Sequence, residues 1–224
     1  MSEPILMGWS GGKDSALSVQ ALRNDPSVHI HALLTTVTDA YDRISMHGVR
    51  RSLLEMQAEA LGLPLQQIRI PVGCDNATYE TKMEAALVEA KQNGVTRCAF
   101  GDLFLQDIRE YRDRQLAQVH MQGIYPVWGI DTTELANRFI RDGFKTILVC
   151  VDPNKLDSSF CGREFDENLL ADLPDSVDSC GENGEFHTFV YAGPIFRESI
   201  PVRRGEVVER DGFWYCDLVP NGGE

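Results

Sequence analysis

Ser10-Gly11-Gly12-Lys13-Asp14-Ser15 is the stretch of this 224-residue chain that decides the fold, and we call it the glycine loop. It follows a short apolar run, residues 5–9, and precedes a helix-compatible stretch, residues 16–22. This order predicts a strand, a tight turn and a helix N-terminus. Adjacent glycines allow positive φ and a close approach to a ligand, so consecutive N–H groups can point at phosphate oxygens. Because the helix dipole, Lys13 and two hydroxyls strengthen such an anion site, we predict a nucleotide site rather than a plain turn.

Segments of strand and helix character alternate through the first half of the chain. Strands are predicted at residues 29–37, 65–70, 98–100 and 124–127, and helices at residues 49–61, 76–93 and 107–121. Strands separated by helices predict an α/β fold, a mostly parallel sheet with helices on both faces. Ligands of such sheets bind beyond the carboxyl ends of the strands, where the strand order reverses.

Three segments of the predicted sheet lie at carboxyl ends of strands. They are the glycine loop, the pair Thr35 and Thr36 at the end of the second strand, and the pair Gly101 and Asp102 after the fourth. We therefore expect them to converge on one nucleotide site. Thr35 and Thr36 would flank the adenine or the ribose, and Asp102 would bind Mg²⁺ or the ribose unless it merely caps the next turn.

The pattern changes near residue 131. A helix over residues 132–141 leads to a strand over 146–151, and two later strand-like runs, 199–208 and 212–218, flank a turn. The turn residues Arg210-Asp211-Gly212 predict an antiparallel hairpin. We therefore predict two domains, a nucleotide-binding domain over residues 1–129 and a smaller α+β domain over residues 130–224.

Charge and cysteine usage argue against several classes of protein. The net charge of −13 argues against a nucleic-acid surface, which needs a basic stripe. No apolar run is long enough to predict a membrane span, and the first residues lack the basic and apolar regions of a signal peptide. The six scattered cysteines form no C-x-x-C pair and are interpreted as reduced thiols. We expect a cytoplasmic protein.

A second polar cluster occupies residues 178–188. If a strand begins at Glu185, then Glu185 and His187 lie on one face, where a carboxylate and an imidazole can accept protons or orient an amine. Composition alone slightly favours a solvated acidic loop before an edge strand. A metal site of Cys180, Glu182 and His187 is disfavoured, because the spacing fits no known ligand pattern.

The glycine loop resembles the S-G-G-x-D-S signature of the PP-loop ATP pyrophosphatases. It matches neither the Walker A pattern nor the G-x-G-x-x-G pattern. The resemblance implies that the loop holds the β- and γ-phosphates of ATP, which is cleaved to AMP and pyrophosphate. Asp14 would then help to hold Mg²⁺, and Lys13 would offset the charge of the leaving group.

A longer set of motifs looks like the diphthine–ammonia ligase family, an ATP-binding branch of the PP-loop superfamily. The set consists of the glycine loop, Met46-His47-Gly48, Gly101-Asp102 with Arg109 and Arg112 downstream, Tyr125-Pro126-Val127-Trp128, and Gly181-Glu182-Asn183-Gly184-Glu185-Phe186. The resemblance covers nearly the whole chain. It implies a PP-loop domain followed by a small domain, and ATP-dependent amidation of the diphthine carboxylate on elongation factor 2.

The chain departs from that family in one motif. Members typically have E-G-G-E-[FY]-E, whereas this chain has Glu182-Asn183-Gly184-Glu185-Phe186-His187. Near or below neutral pH the exchange of a glutamate for His187 would reverse the charge preference of that position. We assign this segment to the acceptor side, so the acceptor is left open between diphthine and another protein or small-molecule acid. Bacteria lack diphthamide, and some relatives of this type are suspected of acting in cobalamin metabolism.

The hypothesis drawn from the sequence is acyl adenylation followed by ammonia transfer, with Lys13, Asp14, Glu182, Glu185 and His187 as the candidate catalytic residues. His47 would touch the nucleotide or the substrate, or be a solvated loop residue. Free ammonia is the expected donor, because a glutamine-hydrolysing half does not fit in this length. The alternatives are a corrinoid-related carboxylate or a tRNA base as acceptor, a non-catalytic ATP-binding module, and a plain ATP hydrolase. A homodimer is also left open.

Overall fold

The computed structural model describes residues 2–44 and 47–221, which form a six-stranded, mostly parallel sheet and a four-stranded antiparallel sheet. The first sheet and its helices are β1 (Glu3–Gly8), α1 (Lys13–Arg23), β2 (Val28–Thr38), β3 (Arg43–Ile44), α2 (Arg51–Leu61), β4 (Leu65–Ile70), α3 (Asn76–Gln92), β5 (Arg97–Ala99), α4 (Gln106–Gln118) and β6 (Gln122–Ile124). The predicted α/β class is confirmed.

The second sheet follows helix α5. Its part of the chain comprises α5 (Thr132–Arg141), β7 (Lys145–Val151), a 3₁₀ turn (Ser158–Phe160), α6 (Glu167–Asp172), β8 (Phe186–Ala192), β9 (Val202–Arg210) and β10 (Phe213–Pro220). The strand order is β8-β7-β10-β9, and the predicted hairpin is formed by β9 and β10. In the described residues, no helix is both long and apolar enough to cross a membrane.

Strand β1 lies at the centre of the first sheet. It pairs in parallel with β2 on one side and with β5 on the other, while β4 extends the sheet beyond β2 and β6 beyond β5. Ile5, Leu6 and Met7 are fully buried, as expected for a parallel strand that is covered on both faces. Because the chain leaves β1 for β2 and later returns to β5, the strand order reverses at β1, and a crevice opens there.

The two faces of β1 belong to different apolar clusters. Leu6 packs into a cluster shared with α3 and α4, whereas Ile5 and Met7 belong to a cluster that runs through α1 and α2 into the second sheet. Phe189 and Val190 of β8 are part of that same larger cluster. The two sheets therefore share one core, and the division at residues 129 and 130 stays a prediction.

Several element boundaries differ from those predicted. The strand expected over residues 124–127 is wrong, because β6 ends at Ile124 and the next residues form a turn in which Trp128 N–H donates to Tyr125 O at 3.2 Å. Pro126 has no N–H and cannot continue a strand ladder. Helix α6 was not predicted; the Asp166 carboxylate caps it by accepting a bond from the N–H of Leu169 at 2.8 Å.

The side chain of Gln57 on α2 joins the two sheets. It is fully buried, and its amide nitrogen donates to the carbonyl oxygens of Gly11, at 3.0 Å, and Val190, at 2.6 Å. Its amide oxygen accepts a bond from Trp9 Nε1 at 3.0 Å. Both amide hydrogens and the oxygen are thereby satisfied, so Gln57 fixes the glycine loop against β8.

Replacing Gln57→Leu should destabilise the protein strongly. The substitution leaves the Val190 carbonyl and the Trp9 N–H buried without this partner, and each such group costs about 1–3 kcal/mol. We expect the free energy of unfolding, measured by urea titration, to fall by roughly 2–5 kcal/mol. The control is Gln92→Leu, at an exposed glutamine of α3. Equal losses for the two variants would contradict this role of Gln57.

Candidate functional site

A pocket of about 370 Å³ opens at the carboxyl ends of β1, β2 and β5, and we call it the loop pocket. Its volume lies in the range of small-molecule sites. Residues 180–182 and the start of β8 close it from the side of the second sheet. Among the predicted site residues, those that line the pocket are Ser10, Gly12, Lys13, Asp14, Ser15, Thr35, Thr36, His47, Gly101, Asp102, Glu182 and His187.

Two predicted site residues lie outside the lining, and one part of a predicted motif cannot be located. Gly11 is absent from the lining, since its carbonyl is turned toward Gln57 Nε2 and the Val190 N–H. Glu185 is absent as well. Met46 lies outside the described residues.

The glycine loop has the backbone geometry of a strand-to-helix turn. Gly11 has a φ of +79°, and Gly12 is the extended N-cap residue of α1, with no side chain capping it. Ser15 Oγ donates to the Gly12 carbonyl at 2.8 Å and lies 3.2 Å from Ser10 Oγ. An α-helix offers its first N–H groups no acceptor of its own. The N–H groups of Asp14 and Ser15 are thus available to an anion at the positive end of the helix dipole.

Two glycines allow the loop to pack closely against its neighbours. A Cβ on Gly12 would lie 3.1 Å from the Thr188 carbonyl oxygen, and one on Gly101 would lie 2.9 Å from the backbone of Asp14 and Ser15. The N–H of Lys13 also donates to Thr188 Oγ1 at 3.1 Å. Gly101 is therefore needed for contact between the end of β5 and the first turn of α1, and Gly12 for contact with β8.

Lys13 and Asp14 form an ion pair in the wall of the loop pocket. Lys13 Nζ lies 2.8 Å from Asp14 Oδ2 and 5.6 Å from the centre of the Phe186 ring, and Lys13 is only 3% exposed. Burial opposes the lysine charge, but the carboxylate of Asp14 outweighs that penalty, and the pKa of Lys13 is raised. A buried cation therefore faces the pocket at the start of α1.

The second oxygen of Asp14 is a candidate metal ligand. Asp14 Oδ1 is buried and has no hydrogen-bond partner among the described residues. Within residues 2–44 and 47–221, no three His, Cys, Asp or Glu side chains are grouped to hold a metal without help. Mg²⁺ usually takes one or two carboxylates and completes its shell with phosphates and water. A single free carboxylate oxygen beside a phosphate-type loop fits that requirement.

Asp102 lines the loop pocket but is engaged by Arg112. The guanidinium group donates to both carboxylate oxygens, at 2.7 and 3.1 Å, and stacks 4.3 Å from the centre of the Phe100 ring. This bidentate pair occupies the atoms that Mg²⁺ or a ribose would need. Asp102 and Arg112 thus form part of the pocket wall. The expected role of Asp102 as a ligand of Mg²⁺ or the ribose stays a prediction.

Glu182 brings a titratable carboxyl group into the loop pocket from the other half of the chain. Its Oε1 accepts a bond from the N–H of Leu103 at 2.7 Å, next to the end of β5. Burial raises the pKa of Glu182 to about 7, although this bond opposes the shift. A carboxyl group with such a pKa can exchange protons near neutral pH.

Glu185 holds the loop that carries Glu182. Glu185 is 3% exposed, and its Oε1 accepts bonds from the Asp178 N–H and from Asn183 Nδ2, both at 3.1 Å. Asp178 Oδ1 in turn accepts bonds from the N–H groups of Cys180 and Glu182, both at 3.0 Å. The face that Glu185 was predicted to share with His187 does not form at the pocket, because β8 begins only at Phe186.

His47 and His187 stack on one another at the loop pocket, with ring centres 4.5 Å apart and planes 25° apart. Burial, together with the charge of Lys13, lowers the pKa of His187 to about 4. Burial and the neighbouring His187 hold the pKa of His47 well below its usual range. Both imidazoles are therefore neutral at physiological pH. The expected charge reversal at His187 is wrong, because burial outweighs the exchange of residue type.

The sequence interpretation missed two residues that shape the site. Gln57 carried a signal, since it follows Leu53 and precedes Leu61 by four residues each and so shares their buried helix face. A polar residue on such a face needs buried partners. Thr188 carried no comparable signal, because its contact with Lys13 depends on where β8 packs against α1.

Comparisons with known proteins agree with these observations. Residues 4–122 match the diphthamide synthase N-terminal domain, and residues 131–219 match the diphthamide synthase C-terminal domain. The diphthine–ammonia ligase of Bos taurus is 26% identical and that of Homo sapiens 24% identical, each over 89% of this chain and 82% of the relative.

A further relative and one solved structure are also similar. The diphthine–ammonia ligase of Danio rerio is 26% identical over 89% of this chain and 86% of the relative. A predicted subunit of tRNA methyltransferase from Methanocaldococcus jannaschii superimposes with a TM-score of 0.45 at 16% identity, over 88% of this chain and all of that chain. The family resemblance seen in the sequence is confirmed by the two domain matches, and the chain belongs to the diphthamide synthase family.

Proposed function

We propose that this protein is an AMP-forming, ATP-dependent carboxylate–ammonia ligase of the diphthine–ammonia ligase type. One observation carries the proposal. A single pocket is lined both by an anion-binding loop with a buried lysine and by a carboxyl group, Glu182, that titrates near neutral pH. The names of the curated relatives support the same reaction.

In this proposal the glycine loop binds the β- and γ-phosphates of ATP. The N–H groups of Asp14 and Ser15 and the hydroxyl of Ser10 supply donors, and Lys13 offsets the charge that develops on pyrophosphate. Mg²⁺, held by Asp14 and the phosphates, would add positive charge at the same place. Thr35 and Thr36, at the end of β2, flank the adenine or the ribose.

The reaction proceeds in two steps. An oxygen of the acceptor carboxylate attacks the α-phosphorus, the bond to the bridging oxygen breaks, and pyrophosphate leaves. Ammonia then attacks the activated carbonyl carbon, loses a proton to Glu182, and AMP leaves with the carboxylate oxygen. The protein contributes mainly by positioning and by fixed charges. Glu185 acts indirectly, because its hydrogen bonds order the loop that carries Glu182.

The neutral histidine pair suits the second step. Ammonia is mostly ammonium at neutral pH and must be unprotonated to attack a carbonyl carbon. Two uncharged imidazoles beside the pocket do not repel ammonium, and they can accept a hydrogen bond from it. His47 and His187 are therefore assigned to the ammonia and acceptor side of the pocket.

Incubation with Mg²⁺-ATP, ammonium and elongation factor 2 that carries diphthine tests the proposal. We expect AMP and pyrophosphate in equal amounts, and a factor whose mass has changed by replacement of one hydroxyl with one amino group. Glutamine in place of ammonium should give no product. Formation of ADP and phosphate, or strict dependence on glutamine, would contradict the proposed reaction.

Replacing Lys13→Met should remove most of the turnover. A preorganised charge that stabilises a leaving group typically contributes a factor of about 100 or more to the rate. We expect AMP formation to fall by about that factor while the circular dichroism spectrum is retained. The control is Lys82→Met, an exposed lysine of α3. Unchanged turnover in Lys13→Met would rule out this role.

Glu182 should give the reaction a pH dependence. The raised pKa of about 7 means that Glu182 accepts protons only above that pH, so kcat/KM should fall as the pH drops below about 7. Rates are compared at a constant concentration of unprotonated ammonia, so that its own ionisation does not contribute. Glu182→Gln should abolish this fall of kcat/KM at acidic pH, whereas Glu84→Gln, at an exposed residue of α3, should keep it. If kcat/KM of Glu182→Gln falls at acidic pH as it does in the unaltered protein, the group that titrates is not Glu182.

A further inference from the structure

A second cavity, of about 760 Å³, lies between β3 and the outer face of the hairpin formed by β9 and β10, and we call it the hairpin groove. It is about twice the volume of the loop pocket. The reaction proposed above uses none of its side chains. The groove therefore has no part in the bond-making steps of that reaction.

The hairpin groove adjoins the loop pocket. Ile44 lines both cavities, while His47 lines the loop pocket and Gly48, the next residue, lines the groove. The two cavities are therefore neighbours that share Ile44 as a wall residue. In this arrangement the loop pocket is the site of the reaction, and the hairpin groove is a binding site for the rest of the same substrate.

A β-bulge shapes one wall of the groove. Cys216 pairs with Val207 and Leu218 with Arg204, so Gly205 and Glu206 together oppose Asp217 alone. The extra residue shifts the alternation of side chains along the strand. As a result, Arg203 before the bulge, Glu206 within it and Arg210 after it all line the groove.

The floor of the groove is an ion-pair network in which two guanidinium groups bind one carboxylate. Asp217 accepts bonds from Arg43 at 2.9 Å and from Arg50 at 2.6 and 3.1 Å, and Arg43 also donates to the Gly48 carbonyl at 2.6 Å. Burial alone would raise the pKa of Asp217, but the two guanidinium groups lower it. This network therefore contains one more positive than negative charge.

The walls of the groove carry charges of both signs. Within residues 2–44 and 47–221, Arg203, Glu206, Arg210 and Asp211 line the groove, and none of them takes part in an ion pair. The two acidic side chains would repel a nucleic acid. A polypeptide carries charges of both signs and can form an ion pair with each of these four side chains.

We propose that the hairpin groove binds an extended peptide segment of the acceptor, one that carries acidic and basic side chains. This proposal rests on the proposed function, which makes the acceptor a carboxylate that must reach the loop pocket. The peptide lies along β9 and β10 and makes ion pairs with Arg203, Glu206, Arg210 and Asp211. The acceptor is thereby a protein, and the groove selects it by its charge pattern.

Selection from a displayed library of random decapeptides tests the groove directly. Peptides with charges of both signs should be enriched on the unaltered protein, and their affinity for Arg210→Glu should fall roughly tenfold, the change that corresponds to 1.4 kcal/mol. The matched control is Arg114→Glu, an exposed arginine of α4, which should bind the same peptides equally well. Absence of enrichment, or equal binding to Arg210→Glu, would overturn the proposal, as would displacement of the peptides by an oligonucleotide.

Amidation of diphthine-bearing elongation factor 2 separates this proposal from the proposed function. Arg210→Glu should raise KM for the factor while kcat and KM for ATP stay unchanged. If the unaltered protein amidates the factor and Arg210→Glu does so equally well, the groove proposal falls and the proposed function stands. If the factor is not amidated but selected peptides need Arg210, the groove still binds peptides, and the proposed acceptor is wrong.

Discussion

The fully bonded side chain of Gln57 is the constraint on which the site depends. Its three hydrogen bonds reach the Trp9 ring at the end of β1, the Gly11 carbonyl in the glycine loop and the Val190 carbonyl in β8. Because a buried amide that loses a partner is costly, this arrangement has few alternatives. It fixes the loop against the second sheet, so a loop from one half of the chain and a strand from the other form one pocket.

The chemistry of the loop pocket follows from that docking. Lys13 N–H donates to Thr188 on β8, and Glu182 accepts a bond from the Leu103 N–H beyond β5. Each half of the chain therefore helps to hold a functional residue of the other half in place. The same burial that brings Glu182 there raises its pKa to about 7 and lowers that of His187 to about 4. Neither half alone would produce these values.

The sequence was sufficient to predict the first sheet and the glycine loop, because both depend on local patterns. Periodicity showed the alternation of strands and helices, and the residues of the loop carry their own geometry. The contacts of Gln57 and Thr188 depend on how distant segments pack, which periodicity does not encode. The neutral state of His187 was missed for a similar reason, since burial sets its pKa. The predicted strand over residues 124–127 failed because Pro126 ends the ladder in a turn.

The central claim is that the glycine loop holds the β- and γ-phosphates of ATP, beside Glu182. A crystal structure with Mg²⁺ and α,β-methylene ATP tests it most directly. We expect these phosphates to lie against the N–H groups of Asp14 and Ser15 and the Lys13 amine, with the adenine or the ribose beside Thr35 and Thr36. A triphosphate bound in the hairpin groove, or an adenine seated in the glycine loop, would contradict it.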